Sequence, residues 1–260
     1  MKTALQVARS VLALLLVLTF MLVVGLFWQR LVLWPIALFR RERLRAWTSP
    51  YMRVQCRGIL GILSAVGGAR FERQGSLPTS AGPILILMNH QSLLDICTVV
   101  LMARDYVPAF VTRSRYTRGV PVIAMCTRFI DCPSVDPGRD PRGAVTAIER
   151  AAPAERHGML IFAEGHRTLD GQIRPFKTAG AEAVLRTGRW PVYLVVGDGL
   201  QSGRRLVDFL ANVNRLRGRA EVLGPFEPPA DPQLLPAFLS EQRATMVRHL
   251  EQMRARPNVR

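Results

Sequence analysis

Hydrophobic and polar positions divide this chain into three stretches of different texture. From Val11 to Trp28 eighteen successive residues (VLALLLVLTFMLVVGLFW) carry no charge, and after Gln29 and Arg30 the apolar character resumes as LVLWPIALF. A helix needs about 20 apolar residues to span a hydrocarbon core. The run therefore has membrane length, either crossing with little tilt or entering and returning at Trp34 and Pro35. Lys2 and Arg9 give it the basic end of a signal peptide, but it is too long for one and no small-x-small cleavage site follows.

The second stretch is basic. Leu44, Trp47, Tyr51 and Val54 recur at three- and four-residue steps, and Arg40, Arg41, Arg43, Arg45, Arg53 and Arg57 sit among them. An apolar stripe opposite arginines predicts a helix in the headgroup layer, with Pro50 as a kink or break. Packing of that helix on the body of the protein is the alternative.

After Gly67 and Gly68, short apolar runs alternate with helix-like stretches, which predicts an α/β domain. The predicted strands are Ala69–Gln74, Pro83–Met88, Pro108–Thr112, Met159–Ala163, Val192–Val196 and Arg219–Leu223. The predicted helices are Leu93–Met102, Arg142–Ala151, Ala179–Arg186, Leu206–Leu216 and Gln233–Met253. This organisation gives membrane-anchoring helices over 1–68 and one catalytic-size domain over 69–260.

Composition narrows the class. The 260 residues are 49% hydrophobic, which excludes intrinsic disorder, and Lys+Arg 35 against Asp+Glu 19 leaves a formal charge of +16. Lys2 and Lys177 are the only lysines. Arginine grips oxyanions with two hydrogen bonds at once, so phosphate-bearing partners move forward, although charge alone does not choose among nucleic acid, lipid and metabolite. Cys56, Cys97, Cys126 and Cys132 form no Cys-x-x-Cys pair, and the four histidines complete no metal-ligand spacing. Reduced, packed thiols and no metal site are the expectation.

Two turns carry candidate chemistry. In ILILMNHQSLLDI, His90 follows a buried strand and Asp95 lies five residues on. Residues five apart on one helix are rotated by roughly 140°. His90 and Asp95 meet only if the histidine sits on a turn and the aspartate in the first turn of the following helix. Asp95 would then fix the imidazole tautomer and leave the other nitrogen as a general base. The competing role is structural: Ser92 and Asp95 as a helix cap, His90 as a turn residue. In LIFAEGHRT, a second apolar strand runs into Glu164, Gly165, His166 and Arg167, where Gly165 permits close approach and Arg167 offers a fork for phosphate. Arg174 and Lys177 follow, ahead of a small-residue helix start at Thr178. An arginine paired with Glu164 on a surface turn is the structural alternative there.

In this order the motifs resemble the glycerophosphate acyltransferase family, within it the 1-acyl-sn-glycerol-3-phosphate acyltransferases. NHQSLLD matches the family's His-x4-Asp motif and FAEGHRT is similar to its Phe-Pro-Glu-Gly-Thr-Arg-Ser motif. AFVTRSRYTRGVPVIAMCTRFID is similar to the substrate-binding block between them, and RWPVYLVVGDG to the final Val-Pro-Val-x-Pro-Val block. The resemblance spans roughly residues 83 to 199. It departs at Ala163, His166, Arg113, Cys132 and Leu194, where the family has proline, threonine, lysine, arginine and proline.

The resemblance implies a mixed, mostly parallel sheet flanked by helices, the glycerolipid acyltransferase fold. It implies O-acyl transfer from acyl-CoA or acyl carrier protein to a lysophospholipid hydroxyl, most directly 1-acyl-sn-glycerol-3-phosphate. His90 and Asp95 would be catalytic, and Arg113, Glu164, Gly165, Arg167 and Lys177 would bind substrate. No metal or cofactor beyond the thioester co-substrate is implied, and the partners would be the bilayer, the acceptor and the donor rather than nucleic acid. A different lysolipid, such as an amino-acid lipid, is the alternative acceptor. A non-catalytic membrane-tethered polyanion binder is the alternative from another class. Seven arginines from Arg30 to Arg57 follow the apolar run against Lys2 and Arg9 before it, which puts the catalytic domain on the cytoplasmic face of a membrane.

Overall fold

The computed structural model describes residues 4–79, 82–119, 121–203 and 206–256; Lys2 and Val120 of the stretches quoted above lie outside them. A single helix, α1, runs over Ala4–Phe39 and is long and apolar enough, by length and composition, to cross a membrane. Its regular turns are interrupted by π segments at Met21–Gly25 and Gln29–Leu33. Of the two courses left open for this run, a return at Trp34 and Pro35 does not occur there: the helix runs on to Phe39, and the chain breaks direction at Arg40 (φ −146°). Pro35 is tolerated because it follows a widened π turn, where the ordinary i→i−4 ladder is already interrupted.

Helix α2, Leu44–Ala65, runs unbroken through Pro50. Its stripe divides. Leu44 and Tyr51 are buried with Met52, Cys56, Leu60 and Leu63, whereas Trp47 and Val54 are exposed. Arg45 forms an ion pair with buried Glu155 at 2.7 Å, and Arg53 donates to the carbonyls of Ala103 and Tyr106. The inner face thus packs on the body of the protein, which corrects the headgroup-layer reading for that face. Burying Glu155 demands a cation, and α2 is what supplies it.

The sheet consists of β1 (Arg70–Gln74), β2 (Ile84–Met88), β3 (Ala109–Phe110), β6 (Gly158–Ile161), β7 (Val192–Asp198) and β8 (Arg217–Phe226), in the order β1-β8-β7-β2-β6-β3. All pairings are parallel except β7 with β8. Strands β4 (Thr112–Arg113) and β5 (Ser134–Val135) make a small parallel pair. Between the strands lie α3 (Asp95–Met102), α4 (Ser114–Gly119), α5 (Pro121–Phe129), α6 (Pro141–Ala151), α7 (Ala179–Leu185) and α8 (Phe209–Asn212), and α9 (Leu235–Ala255) follows the last.

Strand β2 is buried at every position, as a central parallel strand covered on both faces must be. Its alternate residues serve two cores. Ile84, Ile86 and Met88 pack with α1, α2, α3 and α5, while Leu85 and Leu87 pack with α6, α7 and α9. The molecule is therefore a three-layer α/β/α structure with a mixed, mostly parallel sheet, as the motifs implied, and α1 shares one core with the sheet.

Two expectations need amending. The segment Leu206–Leu216 holds one short helix between two 3₁₀ turns rather than a continuous helix. Residues 114–119 and 121–129, unassigned in the strand and helix prediction, form α4 and α5. The cysteines are free, three of them buried, and among the described residues no His/Cys/Asp/Glu group is placed to hold a metal.

Candidate active site

Strands β2, β6 and β7 run in the same direction, so their carboxyl ends meet at one edge of the sheet, where open α/β sheets bind ligands. Both motif turns leave from that edge. Asn89 continues the ladder with its side chain: Nδ2 donates to the Gly197 carbonyl at 2.8 Å, and Oδ1 accepts from the Gly197 N–H at 2.7 Å. His90 is thereby lifted onto the turn, and Asp95 is the first residue of α3.

The two side chains meet at 2.8 Å, His90 Nδ1 to Asp95 Oδ2. The same oxygen accepts from the N–H groups of Gln91 (2.7 Å) and Ser92 (2.8 Å). Asp95 is 1% exposed, so the carboxylate is fixed from three directions in a dry setting. It fixes the imidazole in turn, and Nε2 of His90 has no partner among the described residues. Phe162 stacks on the imidazole with centroids 4.0 Å apart and planes 21° from parallel, which leaves the ring little freedom to turn away.

Glu164 sits beneath this pair. It is 1% exposed, accepting from the His90 N–H through Oε1 (2.8 Å) and from the Arg174 N–H through Oε2 (2.9 Å). Burial raises its pKa, and the two backbone donors pull the other way. With both oxygens spent on the backbone, Glu164 is placed as a brace between the two turns. Thr168 N–H donates to the His90 carbonyl at 2.8 Å and closes the connection.

The other predicted substrate-binding residues gather around the same turn. Gly165 has φ +74°, a left-handed conformation that favours glycine, and an added Cβ would come 3.2 Å from Lys177 Cδ. Arg113 donates to the Gly165 carbonyl at 2.8 Å, and Arg167 donates to the Tyr116 hydroxyl at 3.0 Å. His166 Nε2 accepts from Arg174 at 2.8 Å; its pKa is lowered by desolvation first, then by Arg174, Lys177 and Arg113. Four cations thus surround the Glu164–Arg167 turn, whose one carboxylate is turned inward. That field suits a phosphate.

Residues to which no catalytic or binding role was assigned complete the frame. Gln91 Oε1 accepts from Leu200 N–H at 3.0 Å, and Ser92 Oγ donates to the Gly203 carbonyl at 2.6 Å. Arg254 on α9 grips Asp198 with two bonds (2.8 and 3.1 Å) and donates to the Gly171 carbonyl, joining the end of β7 to the loop after the second motif. Nothing in local sequence marks Arg254, because its partners are 56 and 83 residues away.

Chemically, this is a half-buried histidine with one nitrogen held by a buried carboxylate and the other unbonded among the described residues, beside a cationic turn and with no serine placed as a nucleophile in the constellation. Residues 69–196 match the acyltransferase family model. That stretch, just under half of the chain, belongs to the acyltransferase family. Within that family it is 31% identical over 117 residues to a chloroplastic 1-acyl-sn-glycerol-3-phosphate acyltransferase of Brassica napus, covering 44% of this chain and 32% of that protein. A second chloroplastic protein of the same description, from Arabidopsis thaliana, is 29% identical over 117 residues, 44% of this chain and 31% of that one. The match spans about a third of the length of these curated relatives. The crystal structure of the 1-acyl-sn-glycerophosphate acyltransferase of Thermotoga maritima superposes with a TM-score of 0.75 over 97% of this chain and 99% of that one, at 20% identity, which shows a shared fold.

Proposed function

We propose that this acyltransferase moves a fatty acyl group from acyl-CoA or acyl carrier protein to the free hydroxyl of 1-acyl-sn-glycerol-3-phosphate, giving phosphatidic acid. The observation that carries the proposal is the His90–Asp95 pair at 2.8 Å with Nε2 unbonded among the described residues, next to the turn that carries Arg167 and is flanked by Arg113, Arg174 and Lys177. His90 Nε2 takes the proton as the acceptor oxygen attacks the thioester carbonyl. Asp95 stabilises the imidazolium, and the proton then goes to the departing thiolate. The acceptor's own alcohol fills the place that a serine takes in hydrolases, so no acyl-enzyme forms. The cationic turn holds the acceptor phosphate and sets the hydroxyl against His90. The descriptions of the plant and Thermotoga relatives support this acceptor over an amino-acid lysolipid.

Helix α1 supports a membrane site of action. One stripe of it (Ser10, Ala13, Leu14, Val17, Gly25, Gln29, Leu33) is buried against the protein, while Leu5, Leu12, Leu15, Leu22, Phe27, Leu31 and Phe39 are exposed. A helix fastened along its length to the catalytic body has no route across a bilayer without taking that body with it. We therefore read α1 as lying in one leaflet, apolar face down, with the active site at the cytoplasmic surface where the thioester donor arrives.

The test is direct. Purified full-length protein given 1-acyl-sn-glycerol-3-phosphate and acyl-CoA, or acyl carrier protein loaded with the same chain, should release free thiol and form phosphatidic acid, and His90→Ala should not. Turnover of an amino-acid lysolipid with no reaction on the glycerophosphate would reverse the acceptor assignment.

A further inference from the structure

A second cationic site lies outside the catalytic turn. Where the start of α1 passes the end of α2, a cavity of about 230 Å³ is lined by Gln6, Arg9, Gly67, Gly68, Asn214 and Arg217. It contains two guanidinium groups and no carboxylate. Both arginines are held by backbone: Arg9 Nε donates to the Val66 carbonyl at 3.0 Å, and Arg217 Nη1 donates to the carbonyls of Gly68, Asn214 and Leu216, each at 3.0 Å. The remaining guanidinium donors, both nitrogens of Arg9's fork and Nε and Nη2 of Arg217, have no partner among the described residues. Two like charges are thus fixed beside one cavity with donors to spare, an arrangement that favours an anion between them.

Gly68 lines the cavity in a left-handed conformation, φ +78°, that favours glycine, and a Cβ placed there would be in ordinary contact with Arg9 Nη2, 3.8 Å away. A phosphate monoester carries about −1.5 to −2 charges and three acceptor oxygens, which matches two arginines better than a singly charged diester does. Position is also informative. Arg9 is flanked on α1 by the exposed Leu5, Val7 and Leu12. Arg217 donates its N–H to the Gly199 carbonyl, at the end of β7, and the segment from there to Gly203 is bonded to Gln91 and Ser92 of the catalytic turn. The cavity therefore lies on the catalytic edge of the sheet and at the root of the apolar helix.

We propose that this cavity is a second phosphate-monoester site, separate from the acceptor site, that takes free phosphate or the headgroup of a phosphatidic-acid-type lipid. The lipid source rests on α1 lying in the membrane surface; the site itself does not. Two arms separate these. In detergent, inorganic phosphate at constant ionic strength should raise the Tm of the full-length protein, and the Arg9→Ala/Arg217→Ala double variant should lose part of that rise, whereas Arg142→Ala, on α6 across the sheet, should not. On vesicles, the wild type should bind phosphatidylcholine containing phosphatidic acid more tightly than phosphatidylcholine with an equal fraction of phosphatidylglycerol. The double variant should weaken the former by at least about tenfold relative to Arg142→Ala, the loss of about one charge-assisted bond. Arg9→Lys should fall between, since it keeps charge without the fork. Acyl transfer to a short, soluble acceptor should be the same in all four proteins. A response confined to vesicles identifies the lipid headgroup. A surviving phosphate response without vesicle binding keeps the site and removes the membrane reading. If the double variant equals Arg142→Ala in both arms, the proposal is wrong.

Discussion

The catalytic turn and helix α1 are both fastened to the same core, but by different forces. From Asn89 to Asp95 nearly every polar group has a named partner: Asn89 on Gly197, His90 on Asp95 and Glu164, Gln91 on Leu200, Ser92 on Gly203. Along α1 and α2 most of the fastening is apolar, with a few polar links such as Arg45 to Glu155, Arg53 to the carbonyls of Ala103 and Tyr106, and Gln29 Nε2 to Tyr51, while among the described residues Ser10 Oγ, Trp28 Nε1, Gln29 Oε1 and both amide atoms of Gln55 have no partner. Hydrogen bonds are directional and fix a side chain to a fraction of an ångström; apolar burial is not directional and fixes only which face is turned in. Chemistry requires the first kind of fixing. Adhesion to a lipid surface requires only the second, and the polar groups left over in α1 and α2 are the mark of a region held by shape.

The largest expected effect tests the directional side. His90→Ala should lower kcat by about 10² to 10⁴, the usual contribution of general acid–base catalysis, with a smaller loss of Tm, because Asp95 loses the imidazole but keeps the N–H donors of Gln91 and Ser92. Retained activity would remove the mechanism. Glu164→Gln comes next. One of its two backbone donors would face an amide N–H instead of an oxygen, costing about 1–3 kcal/mol of stability and disordering His90.

Glu164 also predicts a pH signature. Burial raises its pKa from 4.5 in the folded state, so the folded protein binds more protons than the unfolded chain just above pH 4.5. Stability from this group therefore falls as pH rises through that window and is level above it. Unfolding free energies measured across the weakly acidic range should show this negative contribution in the wild type and lack it in Glu164→Gln. Identical slopes would mean that the buried carboxylate does not titrate as placed.

Arg113→Ala and Arg167→Ala should raise the KM for the acceptor more than for the thioester, by the roughly 1.5–3 kcal/mol of a charged hydrogen bond. Equal shifts for both substrates would make these arginines supports for the turn. Arg254→Ala should reduce kcat less than Glu164→Gln does, with partial rescue by lysine, because it acts on His90 only through Asp198, whose Oδ1 accepts from Gln91 Nε2 at 3.5 Å. The smallest effect on chemistry is expected on the apolar side: Leu15→Glu or Phe27→Glu should leave turnover of a soluble acceptor intact while weakening vesicle binding. A loss of soluble-acceptor activity from these outward residues would erase the distinction between the two regions.

The sequence by itself determined the apolar helix, the α/β alternation and the two polar turns that follow buried strands, because each is written in contiguous residues: eighteen uncharged positions, a run such as ILILM, a histidine five residues before an aspartate. The short helices α4 and α5 were not legible, since α4 (SRYTRG) has almost no apolar positions and α5 is only nine residues long, too short for its periodicity to stand out. Only the tertiary structure decided that Glu164 turns inward to the backbone of His90 and Arg174, that Leu44 and Tyr51 of α2 face the core while Trp47 and Val54 do not, and that Arg254 reaches Asp198. Each of these is a choice between partners that a residue type permits equally. A buried carboxylate must find donors and a buried cation an acceptor, but which ones they find depends on where β2, β6 and β7 end together, and that position exists only once the sheet has formed.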